Sequence, residues 1–342
     1  MAPDIGFFTR VLDDAGAADR YRVALDHIEL AERLGFGTAW VAQHHFDRSE
    51  GGLPSPFVLL GAAAARTSRI RLGTAIVTLA HEQPIRAAED AAVLDTVAGG
   101  RVELGFGTGG TPATLSAFGE DPAQRRAVYD AKLARLRALL DGSADVALHP
   151  RPRTLGDRIW QATFSVEGAR AIGAAGDGLM LSRVQPLPPG IADGAEPPRV
   201  WEVQRPVVDA YLGALPAGRA PRILASRSVV VVDPASRRAV RAHAEAGLAR
   251  QLHQFHGITP GSLSLDELLT RSETHLGTAS EVAESLAADI VASGATEVSI
   301  QAHSVDPHHE ITARSLELFA HEVAPALGWM VARDEQEARH VA

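Results

Sequence analysis

Residues 70–107 decide the fold: Ile70-Arg-Leu-Gly-Thr-Ala-Ile-Val-Thr-Leu79, a helical stretch opened by Pro84 and ending near Gly99-Gly100, then Arg101-Val-Glu-Leu-Gly-Phe-Gly107. Both flanking runs are short and largely apolar, which reads as strand, and the stretch between them is long enough for a helix. Strands alternating with helices imply a parallel sheet with right-handed crossovers. The same rhythm runs in both directions along the chain. Upstream come a strand at 5–9, a helix at 20–34 with Val23, Ala24, Ile28, Ala31 and Leu34 at helical spacing, a strand at 38–43, and a helix from Pro54 through Ala65. Downstream come a helix at 123–141, then strands at 158–163, 177–182, 222–232 and 297–301. Helices at 166–175, 201–215, 236–250, 281–292 and 310–326 separate and follow them. Eight βα units in a chain of 342 residues predict a closed (β/α)8 TIM barrel of the α/β class, a single domain over 1–342.

Three stretches break the rhythm and read as loop insertions: 142–157, 184–200 and 251–277. Long insertions in a barrel are lids, dimer contacts or plain surface loops. The last, with Leu252, Phe255 and Ile258, is expected to close as a lid over a hydrophobic substrate. The tail after Trp329 is charged and expected to fray.

Composition narrows the chemistry. A net charge of -9 without a basic cluster argues against nucleic acid and anionic membrane surfaces. The absence of cysteine removes disulfides, thiolate nucleophiles and thiolate metal sites, and fits a reducing cytoplasm. No signal peptide and no membrane span are read.

In such a barrel the site lies at the C-terminal strand ends. The candidates there are Gln43 and His44, Thr78, Gly107 and Thr108, Gln161 and Thr163, Ser182 and Arg183, Ser226 and Arg227, and His303. The set is polar and nearly free of carboxylates, so it suits neither glycoside hydrolysis nor a divalent metal. Adjacent His44 and His45 point opposite ways on a strand, leaving one working histidine and no chelate between them. His308-His309 lies at the rim, and no metal site is expected. The turn Gly105-Phe-Gly-Thr-Gly-Gly-Thr111 is neither a P-loop nor a dinucleotide fingerprint. Beside it Ser165 stands at a helix N-cap, so the pair reads either as tight turn and cap or as a phosphomonoester site.

The runs Gln43-His-His-Phe46, Gly73-Thr-Ala-Ile-Val77, Pro84-Ile-Arg-Ala-Ala-Glu-Asp90, Leu94-Asp95 and Gly100-Arg-Val-Glu-Leu-Gly105 resemble the bacterial luciferase-like flavin-dependent monooxygenases. Trp160-Gln-Ala-Thr-Phe-Ser-Val-Glu-Gly168 resembles an FMN-dependent subgroup, and Gly277-Thr-Ala-Ser-Glu-Val-Ala-Glu284 a late helix start of the family. The resemblance implies a barrel binding reduced FMN, supplied by a separate flavin reductase, and O2. It implies that His44 is catalytic, that Ser165 contacts the phosphate with Gln161 and Ala162 beside it, and that Ala75-Ile76 is a non-prolyl cis peptide under the flavin. The expected cofactor contacts are Gln43, Ala75, Ile76, Gly107, Thr108, Gln161, Ala162, Ser165 and Arg183. The chain departs from luciferase where Gln43 replaces a glutamate, Thr108 a basic residue, and Phe106 stands near the reactive cysteine. Phosphate binding then rests on backbone amides, Ser165 and Arg183 or Arg227, and light emission is not implied.

The expected reaction is monooxygenation of a small, hydrophobic organic substrate, with His44 as general acid or base. Hydride transfer with a deazaflavin and flavin binding without turnover are the alternatives. A homodimer through the alanine-rich helices of the first half is expected, from Ala62-Ala-Ala-Ala65, Ala87-Ala88 and Ala91-Ala92.

Overall fold

The computed structural model describes residues 2–12, 15–47, 51–109, 111–186, 198–302 and 308–329, leaving aside the side chains of 254–256. His303, the Phe255 side chain, Gly110, most of the 184–200 insertion and the tail after Trp329 lie outside the described residues. Eight staves of the sheet form the barrel: β1 (Asp4–Thr9), β2 (Thr38–Val41), β3 (Arg71–Thr74), β4 (Val102–Gly107), β5 (Ile159–Ala162), β6 (Gly178–Leu181), β7 (Ile223–Val231) and β8 (Glu297–Gln301). Neighbours pair in parallel, and β8 pairs with both β7 and β1, so the sheet closes into the expected (β/α)8 barrel. Among the described residues no helix is long and apolar enough to cross a membrane.

Period-two alternation sends one set of side chains to the axis and the other to the helices. The outward set, including Leu72, Leu104 and Ile300, joins Ile28 and Leu60 of the helices in the main core. The inward set is dominated by two tryptophans that lie over glycines of the next stave. A Cβ on Gly73 would come within 2.2 Å of the Trp40 ring, and one on Gly178 within 2.1 Å of the Trp160 ring. The two rings meet edge to face, 5.7 Å between centroids, and pack with Phe8, Ala42, Met180 and Leu224. The barrel axis is therefore plugged below its mouth.

Each indole N–H is buried and needs an acceptor. Trp40 donates to Glu297 at 2.5 Å, and Trp160 to Glu103 at 2.7 Å. Glu103 also accepts from Arg71 at 2.6 Å. Burial pushes the Glu297 carboxyl up to about 8. Both acids sit at the N-terminal end of their staves, leaving the C-terminal end for small and hydroxylated residues.

The structure corrects several expectations. The expected strand at 70–79 is two strands, Arg71–Thr74 and Val77–Thr78, separated by a cis Ala75-Ile76 bond. The helix expected at Pro54 begins at Pro56, and the Pro54 carbonyl instead accepts from Gln43. The helix expected over 281–292 divides at Asp289, which caps the second piece and also binds Arg227. The helix expected over 310–326 passes through a π-turn at Phe319–Val323. A helix at Pro112–Ala117 was not anticipated.

The largest correction concerns 251–277, which is not a lid. The preceding helix runs on to His256, a capped helix follows at Leu265–Arg271, and Thr274–Gly277 pairs with the end of β7. Leu252 is 1% exposed and packs with Val230, Val240, Leu248, Leu268 and Leu276, while Ile258 lies against the same cluster. Leu252 and Ile258, two of the apolar residues assigned to gating, are spent on a satellite core. The 142–157 stretch leads from a helix into β5, and so runs on the face opposite the mouth, with Leu148 and Leu155 buried.

Candidate active site

Above the tryptophan plug the mouth has two different halves. On the β1–β5 side, Ala75, Ile76 and Ala162 lie against the Phe8, Ala42 and tryptophan cluster. A Cβ on Gly107 would stand 3.0 Å from Ile76 and 3.7 Å from Ala162, so these three expected contacts converge on one small-residue floor. On the β7–β8 side, Ser226, Ser228, Ser299 and Gln301 share the inward parity of Leu224 and Glu297 and are all buried. The hydroxyls of Ser226 and Ser299 are shut from solvent without a hydrogen-bond partner. Arg183 is buried over this wall, its guanidinium 3.4 Å from the Ser228 hydroxyl. Of these wall residues sequence reading singled out only Ser226 and Arg183; strand parity counted from Leu224 and Glu297 was the available signal for the rest.

The end of β2 sets the histidines. Gln43 is buried and its amide is fully engaged by the scaffold. It accepts from the Thr78 N–H at 2.7 Å and donates to Glu82 at 2.7 Å and to the Pro54 carbonyl at 3.2 Å. The Gln43 side chain is thus a strut that ties β2 to the segment after β3. His44 and His45 part as expected. The half-buried His44 ring lies over Gly51, where a Cβ would come within 2.5 Å of it. His45 turns instead toward His81 and Phe118, with ring centroids at 4.9 Å from each. Burial pushes His81 down to about 4 and His45 below its ordinary value, so both rings are neutral near pH 7.

The other end of the floor is a helix start. Ser165 caps the helix Val166–Ala175, its hydroxyl accepting from the Gly168 N–H at 3.0 Å. Thr163 accepts from the Ser165 N–H at 3.1 Å, and the two hydroxyl oxygens stand 3.5 Å apart. A Cβ on Gly168 would fall 2.2 Å from the Thr163 hydroxyl, so only glycine admits this cap. First-turn amides have no partner within a helix and carry the positive end of its dipole. Thr108 follows Gly107 at the end of the neighbouring stave and is half-buried. The floor suits a planar apolar ring and the helix start an anionic group.

Two expected residues are placed elsewhere. The Gln161 side chain lies opposite in parity to Trp160, accepting from Tyr129 at 2.9 Å and donating to Asp177 at 2.7 Å in the helical layer. Arg227 is fully buried in that same layer, bound to Asp289 at 2.5 Å and Gln204 at 2.9 Å. Neither side chain reaches the mouth.

The family model for luciferase-like monooxygenases matches residues 5–297. This chain belongs to that family. It is built as the family's barrel. The 4-hydroxyprotoasukamycin monooxygenase of Streptomyces nodosus subsp. asukaensis is 39% identical over 122 residues, 35% of this chain. The matched stretches span about a third of the length of such curated relatives. Among solved structures, the monooxygenase RslO1 of Streptomyces bottropensis superposes with TM-score 0.72 at 25% identity, over 94% of this chain and 99% of its own. Two family-fold neighbours, each at 18% identity, differ in cofactor. The oxygenating constituent of 3,6-diketocamphane monooxygenase from Pseudomonas putida, in complex with FMN, has TM-score 0.69 over 97% of this chain and 100% of its own. The coenzyme F420 dependent tetrahydromethanopterin reductase of Methanopyrus kandleri has TM-score 0.68 over 96% of this chain and 100% of its own.

Proposed function

We propose that this luciferase-like enzyme is an FMN-dependent monooxygenase acting on a small organic substrate, with reduced FMN delivered by a separate flavin reductase. The observation that carries the reading is one mouth with a small-residue floor ending at a serine-capped helix start. Ala75, Ile76, Gly107 and Ala162 suit the face of a planar tricycle, and Ser165 with Thr163 suits a phosphomonoester. When bound, reduced FMN supplies the electrons by which one atom of O2 enters the substrate and the other leaves as water. His44 stands at the end of β2 to take or return a proton, and the tryptophan plug keeps water from entering below. Arg183 and the Ser226–Ser228 wall orient a polar group of the substrate. The buried hydroxyl wall and Arg183 suit a substrate with a polar end.

Deazaflavin-dependent hydride transfer is the second reading, supported by the equal likeness to the F420-dependent neighbour. A deazaflavin with a longer anionic tail calls for a basic rim, and Arg227 is spent on Asp289, which favours FMN. A single domain over 1–342, a homodimer and a cytoplasmic location complete the proposal. Of the alanines expected at a dimer contact, Ala63, Ala64, Ala87, Ala88, Ala91 and Ala92 are buried inside the chain, while Ala62 and Ala65 are exposed. Val58, Ile85, Val93 and Val97 instead stand exposed on the same two helices and offer an apolar face to a second copy.

Anaerobic titration with reduced FMN, followed by rapid mixing with O2, tests the reading. Saturable binding and reoxidation at a rate distinct from free reduced FMN are expected. His44→Ala should retain binding but change that reoxidation rate by about 100-fold or more. Reoxidation like that of free FMN, insensitive to His44, would leave a flavin-binding protein without turnover. Binding of a deazaflavin with none of reduced FMN would move the enzyme to hydride transfer.

A further inference from the structure

The imidazoles of His45 and His81 meet the Glu82 side chain at the side of the mouth. The donor atoms of His45, His81 and Glu82 all lie within 4.8 Å of one another. A tetrahedral zinc-type ion with ligand bonds near 2.0–2.1 Å brings its donors to roughly 3.4 Å apart, so small side-chain rotations close the site. His45 Nε2 and both ring nitrogens of His81 are buried without a hydrogen-bond partner. Each such nitrogen is destabilising unless something satisfies it. Glu82 is held in place because its Oε1 accepts from Gln43 at 2.7 Å, and Gln43 is itself fixed by the Thr78 N–H at 2.7 Å. Phe118 stacks on His81 at 4.5 Å and meets the His45 ring edge to face, orienting both rings. Lys132, a nearby cation, is neutralised by Glu120 at 2.7 Å.

We propose that His45, His81 and Glu82 hold a divalent transition-metal ion. Two imidazoles and one carboxylate select zinc, cobalt or nickel over magnesium or calcium, which take oxygen ligands. The hydrogen bond from Gln43 to the ligating carboxylate is the kind of outer contact that orients metal ligands and tunes affinity. The ion clamps the segment after β2 to the turn after β3. It thereby fixes the backbone that carries His44, and it acts as a positioning device rather than a reactant. The proposal does not depend on which flavin the enzyme uses.

Chelator-treated, full-length protein titrated with Co2+ provides the test, read by the visible absorption of bound Co2+ and by calorimetry. One saturable Co2+ per chain is expected. His81→Phe keeps an aromatic ring against Phe118, and Glu82→Gln keeps the side-chain shape; each should abolish saturable binding while circular dichroism stays native. His309→Ala, in the separate rim pair, should leave it unchanged. Absence of saturable binding in wild type, or binding that survives His81→Phe and Glu82→Gln, overturns the site.

Discussion

Glu297 carries a proton that its position in the barrel forces on it. Burial lifts its pKa from the ordinary 4.5 to about 8. Between those values the native state holds a proton that the unfolded chain has released. This group's contribution to stability therefore falls as pH rises from about 4.5 to about 8. Glu297→Gln keeps an acceptor for the Trp40 indole and cannot ionise. Its urea midpoint should show a shallower pH slope than wild type, with the largest gain at pH 8 and above; identical slopes would mean that Glu297 is already ionised in the native protein. The residue scale is also where sequence reading was half successful. Gln43, His44 and Gln161 were correctly put at strand ends, because apolar runs mark where strands stop. Which side chain of each end faces the axis was settled by Trp40 and Trp160 occupying it, which turns Gln161 outward.

Among the elements, the segment 251–277 shows how an insertion is misread. Its apolar residues fit a lid or a core equally well by composition. The pairing of Thr274–Gly277 with the extended end of β7 decides for a core, because it brings Leu268 and Leu276 against Leu252. Leu252→Ala should therefore destabilise the protein by about 2–5 kcal/mol, as cavity formation in a core does, with reduced-FMN affinity unchanged. Equilibrium unfolding beside flavin titration checks this. Undiminished stability with altered substrate affinity would restore the gating role. The cis bond at Ala75-Ile76 was expected from family likeness, but the division of the strand there was not, because apolar periodicity gave one strand over 70–79.

At the scale of the whole molecule, the exposed valines of two adjacent helices predict the assembly. Val97 is 61% exposed and Val93 48%. Val97→Glu should convert a dimer to monomer in sedimentation velocity with little loss of thermal stability; a wild-type monomer would remove the proposed interface. The chain's own order of strands and helices determined the barrel, its eight staves and the end at which chemistry belongs. Those features follow from local hydrophobic periodicity and from the handedness of βαβ crossovers, which neighbouring residues encode. Only the tertiary structure decided that Arg227 is buried on Asp289, that His45 meets His81 and Glu82, and that the mouth pairs an apolar floor with a hydroxyl wall. Each of those joins residues from different staves or layers, at distances set by barrel closure, and no local pattern carries that information.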